Sequence, residues 1–301
     1  MLNKDRTLLL ASMDLLAIQD LQKAGFYVDN VFTEKKIIMR IIRKLHIKMN
    51  FPFTDFWFGN WKKKMSKFDN IILFASYYSF PVVKLIKKEY PNINLLFWYW
   101  DPISNCIQPE KVRRYVDSIW SFDFADCEKY GLKYNTTFYP YILRLNSEAK
   151  NDVGVLFVGK DKGRLSLLND IKHKLNEFSI KSYFHVVANS KYGKKDSSYK
   201  ETISYLQVLN LINQSKILLE IIQKGQTGAT LRCMEALFYK VKLITNNRFI
   251  TNYDFYTSEN VFIWGVDAID RLPEFFLSPY KEIDSEMVAR YSPQKWFERF
   301  Y

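Results

Sequence analysis

The chain has 301 residues, 44 Lys and Arg against 32 Asp and Glu for a formal net charge of +12, and a composition 48% apolar and 17% aromatic. That length exceeds what one hydrophobic core ordinarily fills, so two domains are expected, and the apolar content excludes a chain disordered throughout. The cationic excess suits an anionic partner, whether nucleic acid, phosphorylated ligand or acidic membrane. The three cysteines (Cys106, Cys127 and Cys233), with no CxxC pair, argue against a disulfide framework or zinc site and for a cytoplasmic location.

In chain order, TLLLAS (residues 7–12) reads as a strand and DLLAIQDLQKAGF (14–26) as a helix ending near Gly25. Asp14 and Asp20 interrupt this N-terminal apolar run, which is therefore expected to be a buried strand and helix rather than a signal peptide. YVDNVF follows as a strand, and residues 34–68 as basic, aromatic helices and loop. NIILFAS (70–76) is a strand, PVVKLIKKEYP (81–91) a helix bracketed by prolines, and NINLLFWYW (92–100) a strand running into the loop DPISN. SIWSFD (118–123) and NTTFYP (135–140) are expected to be strands.

A polar break, LNSEAKND (145–152), precedes a second series of the same rhythm. The strands are VGVLFVG, SYFHVVA, KILLEII, KLITNN and NVFIWG, and the helices GRLSLLNDIKHKLNEF, SYLQVLNLINQS and TLRCMEALFYK. Residues 283–301 read as helical and aromatic. Strands spaced by helices imply parallel sheets covered on both faces. The expected fold is α/β, two doubly wound Rossmann-like parallel-sheet domains facing a cleft, with ligands beyond the carboxyl ends of the strands. The boundaries are set at 1–148 and 149–282, and 283–301 is expected to pack back toward the first domain.

Two strand-to-helix loops carry the chemistry. In VLFVGKDKGR, Gly159 lets the strand turn and Gly163 opens a helix, whose unpaired N–H groups and partial positive charge suit a phosphate. Lys160, Lys162 and Arg164 could reach the same anion, although a solvated turn with lysines facing water uses the same residues. The spacing is not that of the dinucleotide fingerprint GxGxxG. In the second loop, Gly225 and Gly228 precede a helix that Thr227 or Thr230 could cap. Arg232 in its first turn opposes the helix dipole unless an anion lies near. Glu235 shares its face, either as an ion-pair partner for Arg232 or as an acceptor for ribose hydroxyls. Two such loops in one domain fit a nucleoside diphosphate.

The segments FVGKDKGR, KILLEIIQKGQTGATLRCMEALFYKVKLITNN and VFIWG…FFLSPY…YSPQKWF resemble the donor domain of GT-B glycosyltransferases. The resemblance is narrower to bacterial enzymes of lipopolysaccharide and capsular polysaccharide biosynthesis. YWDPISN and SFDFADCEKYGLKYNTTFYP are similar to the same family, and the likeness covers residues 70–301. It implies that residues 149–282 bind a nucleotide-sugar donor, UDP-sugar favoured, through Gly159, Lys160, Lys162, Arg164, Thr227, Gly228, Thr230, Arg232 and Glu235. Glu235 falls to the ribose-binding carboxylate. Many retaining relatives carry a Glu-x7-Glu pair, and Thr227 stands at its first position, so retaining stereochemistry does not carry over.

Residues 1–148 are expected to bind a glycan or lipid-linked acceptor and to supply any general base. Asp101 and Asp14 are the candidate catalytic carboxylates, each past a strand end and each also able to cap a turn or helix. His46, His173 and His185 lack metal-ligand spacing, and no DxD motif stands at a strand end. No metal and no cofactor beyond the donor are expected, with Lys160, Arg164, Arg232 and helix N-termini stabilising the leaving diphosphate. FPFTDFWFGNWKKKMSKF (51–68) reads as an interfacial helix on anionic lipid or as a packing helix with a lysine-rich outer face. The first option makes the protein peripheral on the inner face of the cytoplasmic membrane. A nucleotide-sugar epimerase on this scaffold and a nucleic-acid-binding protein are the rival readings. Scarce histidines count against the first; cations gathered at strand ends count against the second, and no nucleic-acid partner is expected.

Overall fold

The computed structural model describes residues 2–33, 36–145, 152–189 and 199–300, and the expected boundary at 148/149 lies outside them. The chain forms two compact units, Met1–Tyr141 with Ser292–Tyr301, and Ile142–Tyr291.

Unit 1 runs β1 (Thr7–Ala11), α1 (Leu15–Lys23), β2 (Tyr27–Asn30), α2 (Ile37–Lys48), β3 (Asn70–Phe74), α3 (Phe80–Glu89), β4 (Asn94–Tyr99), α4 (Pro109–Val112), β5 (Ser118–Ser121), α5 (Phe124–Tyr130) and β6 (Lys133–Tyr134). The strands form one parallel sheet ordered β2-β1-β3-β4-β5-β6. Continuous apolar runs such as Leu8–Ala11 and Leu95–Tyr99 are buried along their length, as a sheet covered on both faces requires. Asp14 and Asp123 cap α1 and α5 through their carboxylates, and Gly131 ends α5 in the left-handed conformation at φ 61°.

Two expectations fail in unit 1. Residues 135–140 are not a strand: the sheet ends at β6, and the chain leaves its edge with Phe138 buried beneath the C-terminal residues. The tract 51–68 is not one helix, interfacial or packing, but two 3-10 helices, Thr54–Trp57 and Asn60–Lys67, the second turning its lysines outward as the packing alternative expected. Trp57, Phe58, Trp61, Met65 and Phe68 from this tract enter the unit 1 core.

Unit 2 runs β7 (Gly154–Lys160), α6 (Leu165–Glu177), β8 (Ser182–Val187), α7 (Tyr205–Asn213), β9 (Ser215–Glu220), α8 (Leu231–Phe238), β10 (Lys242–Thr245), β11 (Val261–Ile263), α9 (Leu272–Leu277) and α10 (Ser285–Ala289). Its parallel sheet is ordered β11-β10-β9-β7-β8, so β7 and β9 are central neighbours. Ser204 and Gln207 close a capping box on α7. The last helix, α11 (Pro293–Glu298), belongs to unit 1, where Trp296 stacks on Phe138 with ring centroids 4.3 Å apart and Asn135 donates to the Trp296 carbonyl at 3.0 Å.

Candidate functional site

In unit 2 the two Gly-bearing loops leave adjacent central strands at their carboxyl ends, β7 before α6 and β9 before α8. Lys162 and Gly163 both take positive φ, 49° and 78°, which turns the chain sharply after β7. The α6 N-terminus is closed by a carboxylate: Asp161 Oδ1 accepts from the Arg164 and Leu165 amides, both at 2.9 Å. Its Oδ2 accepts from the Tyr199 hydroxyl at 3.0 Å. The anion-binding end expected there is therefore already satisfied by Asp161, a residue the sequence reading passed over.

Arg164 braces the two strand ends. Its Nη1 donates to the Ile221 carbonyl and its Nη2 to the Lys160 carbonyl, both at 2.5 Å, and its Nε to the Asp161 carbonyl at 3.0 Å. Arg232 reaches β7 from α8: its Nη2 donates to the Val158 carbonyl at 3.0 Å, and its Nη1 pairs with Glu235 Oε2 at 2.5 Å. Burial, and secondarily the charge of Arg232, lower the Arg164 pKa from its ordinary value, although Asp161 and Glu220 oppose them. Two guanidinium groups thus stand close enough to repel at the carboxyl end of the sheet. Gly159 lies between, with Arg164 Nη2 3.5 Å from where a Cβ would be, and Lys160 and Lys162 are exposed on the same loop.

Glu235 is buried at 1% exposure, with Oε1 accepting from the Tyr205 hydroxyl at 2.7 Å and Oε2 paired to Arg232. Burial raises its pKa against the opposing pull of Arg232 and Tyr205. Of its two sequence readings, this is the ion-pair geometry; a ribose hydroxyl reaches the carboxylate only if Arg232 or Tyr205 moves. Thr230 caps α8, its hydroxyl accepting from the Arg232 amide at 3.0 Å and donating to Glu220 Oε1 at 2.6 Å. Thr227 and Gly228 are buried, and the Thr227 carbonyl accepts from Asn247 Nδ2 at 3.0 Å.

Glu220 went unnoticed in the sequence, where it reads only as the polar end of the strand KILLE. It is fully buried, accepting from Thr230 at one oxygen and from Thr245 Oγ1 at the other, 2.5 Å away, and burial raises its pKa. It ties the β9 end to the α8 cap and to β10. A lone acid ending an otherwise apolar parallel strand, with threonines opening the next helix and ending the next strand, was the available signal.

In unit 1, both oxygens of Asp14 are occupied: Oδ1 caps α1 through the Ala17 amide at 3.0 Å, and Oδ2 accepts from the Tyr141 hydroxyl at 2.6 Å. Asp101 is exposed in the loop leaving β4. Burial first, then the charges of Asp101 and Asp126, push the Cys106 thiol up to about 12, and its Sγ donates to the Ala75 carbonyl at 3.7 Å. Cys106 lines a cavity of about 1260 Å³ at the loops leaving β3 and β4, whose wall also presents Lys48, Lys84, Lys111, Arg114 and Tyr77. His46 accepts from Trp57 Nε1 at Nδ1 and donates from Nε2 to the Pro52 carbonyl, both at 2.8 Å, which fixes it as a structural residue. Among the described residues, no cluster of three or more His, Cys, Asp or Glu could hold a metal, and no helix is long and apolar enough to cross a membrane.

No protein-family model matches the chain, and no curated protein matches its sequence. Its fold does have solved counterparts. The DNA modifying enzyme beta-glucosyltransferase, solved with and without the substrate uridine diphosphoglucose, aligns with a TM-score of 0.50 at 13% identity, over 90% of this chain and 89% of that one. TarM aligns at 0.48 and 12% identity, over 77% of this chain and 52% of its own. An S. aureus TarM variant in complex with fondaparinux, alpha-GlcNAc-glycerol and UDP aligns at 0.49 and 12%, over 76% and 54%. The chain thus spans about half the length of the TarM structures it matches. With its two all-parallel α/β sheets and the likeness to beta-glucosyltransferase over 90% of its length, the chain has the GT-B fold of glycosyltransferases.

Proposed function

We propose that this protein is a glycosyltransferase that moves a sugar from a nucleoside diphosphate donor, UDP-sugar by preference, to a glycan or lipid-linked acceptor. The setting is bacterial surface polysaccharide assembly, lipopolysaccharide or capsule, in the cytoplasm against the inner face of the membrane. The observation that carries the reading is the pair of guanidinium groups, Arg164 and Arg232, fixed on carbonyls at the carboxyl ends of β7 and β9 beside exposed Lys160 and Lys162. Such an array attracts a diphosphate. Gly159 allows the backbone to approach it, and Thr227, Gly228 and Thr230 shape the facing loop. Arg232 and the two lysines take up the charge that develops on the leaving diphosphate, so no metal is required. Glu235 holds Arg232 in place through Oε2 and meets the ribose at Oε1 when the Tyr205 hydroxyl moves aside.

In unit 1 the acceptor enters the basic cavity beside the β3 and β4 loops, whose four cations against Glu110 favour an acceptor bearing phosphate or carboxylate. Asp101 is the general base. The acceptor oxygen bonds to the anomeric carbon, the bond from that carbon to the diphosphate oxygen breaks, and the hydroxyl proton passes to Asp101. Asp14, with both oxygens engaged, serves as the α1 cap. The test is incubation with a panel of UDP-, GDP- and dTDP-sugars and membrane glycolipid extracts. Release of one nucleoside diphosphate, dependent on acceptor and on Arg232, supports the reading; no release from any donor contradicts it.

A further inference from the structure

Helix α2 presents its apolar side to solvent. Ile37, Ile38, Ile41, Ile42 and Leu45 fall at i, i+3 and i+4 spacing on one stripe, and all are between 46% and 67% exposed. Its inward side is mixed: Met39 packs on the unit 1 core, and Ile47 is half-buried beside Arg43 and His46. Arg43 is buried with its guanidinium 3.7 Å from the Phe32 ring centroid, and His46 is locked between Trp57 and Pro52. Past the helix, Met49, Phe51, Phe53 and Phe56 continue the exposed apolar surface, Phe53 at 80%. Exposed Arg40, Lys44 and Lys48 flank the stripe, and α2 contains no carboxylate. An exposed stripe of five large aliphatics is far more than scattered surface residues explain.

We infer that the outward stripe of α2, with the aromatic loop after it, is a docking surface for an anionic lipid bilayer. The helix lies in the interface with its isoleucines among the acyl chains and its arginine and lysines at the phosphates. Charge complementarity selects this occupant: the helix carries cations and no carboxylate, and the acid of the following loop, Asp55, is paired with Lys62, which matches a surface that is apolar below and anionic above. The basic cavity opens at the same end of the helix, with Ile47, Lys48 and Phe51 in its wall, so a lipid-borne anion reaches it without leaving the membrane. This deepens the membrane part of the proposed function while resting on none of the unit 2 chemistry. It also moves the membrane contact from the 51–68 tract as a whole to α2 and the exposed aromatics that follow.

The experiment is co-sedimentation of the full chain with vesicles of phosphatidylcholine alone and of phosphatidylcholine mixed with phosphatidylglycerol. Binding is expected on the anionic vesicles and to weaken as salt rises. The double variant Ile38→Glu with Ile41→Glu should lower vesicle affinity about tenfold or more while leaving the thermal midpoint in place. Arg40→Glu with Lys44→Glu should remove the preference for anionic lipid. Failure of the wild-type chain to bind either vesicle overturns the inference, as does anionic binding that the isoleucine variant retains in full. A wild-type dimer that the isoleucine variant dissolves, without vesicle binding, assigns the stripe to a second copy and overturns it too. Nucleotide-induced thermal shifts run in parallel: vesicle binding without any shift sinks the transferase reading alone, and shifts without vesicle binding sink the docking surface alone.

Discussion

Arg232 is held at both ends, its Nη1 2.5 Å from Glu235 Oε2 and its Nη2 donating to the Val158 carbonyl at 3.0 Å. The carboxylate lies on the same helix and the carbonyl on the neighbouring strand β7. The guanidinium is therefore positioned before any ligand arrives, so little ordering is left for binding to supply. Arg232→Ala should weaken a nucleoside diphosphate about a hundredfold while leaving the nucleoside nearly unaffected, measured by calorimetry. It also strands Glu235 in the interior, which costs about 3–5 kcal/mol. Arg232→Lys, which keeps the charge but not the two-ended fixation, should recover part of the stability and less of the diphosphate affinity.

The two acids of unit 1 should separate cleanly. Asp101→Asn is expected to abolish turnover with donor affinity intact, because its carboxylate, exposed past β4, is the general base in the proposed reaction. Asp14→Ala should lower stability by about 1 kcal/mol through loss of the α1 cap and of the bond to Tyr141, with turnover preserved. Urea titrations and initial rates on both variants check the pair.

Glu220 supplies a pH signature. Burial raises its native pKa, so the folded chain holds a proton that the unfolded chain gives up earlier. Stability tied to Glu220 is therefore fully present below the ordinary glutamate range and is lost as pH rises from there through the raised native value. Glu220→Gln removes that titration. The variant should be the less stable chain at acid pH, where Gln fits two hydroxyl donors poorly, and should gain on the wild type as pH rises. Urea midpoints of both chains across that range report the difference, and a constant difference would contradict the burial argument.

The C-terminal residues belong energetically to unit 1. Trp296 is fully buried against Phe138, Trp98 and Phe300. Trp296→Ala should cost about 3–5 kcal/mol by opening a cavity in that cluster. Nucleotide binding in unit 2 should survive at temperatures where the variant remains folded.

Much of the fold was legible because parallel strands buried on both faces read as plain apolar runs. TLLLA, NIILF, KILLE and their neighbours stand where the sequence puts them, and the short aromatic run 135–140 does not. Phe138 in that run is buried against Trp296, a contact 158 positions away that no local pattern encodes. The two glycine loops were legible for a similar reason, since glycine and threonine at strand ends have few other uses. What the side chains do there was not. Arg164 and Arg232 are recognisable as cations, but that they bond to carbonyls of β7 and the β9 loop depends on which strands are neighbours. The outward turn of the α2 isoleucine stripe was also hidden, because an amphipathic pattern shows a stripe without saying which way it faces.

The most direct test of the account is the thermal stability of the full chain against UDP, GDP, CMP, dTDP and ADP, each with and without magnesium. A diphosphate at 100 times its dissociation constant should add about 2.7 kcal/mol, seen as a clear rise in midpoint. The account predicts a rise for one nucleoside diphosphate, UDP first, that is the same without magnesium and lost in Arg232→Ala. No rise with any nucleotide, or a rise that Arg232→Ala leaves intact, would contradict it.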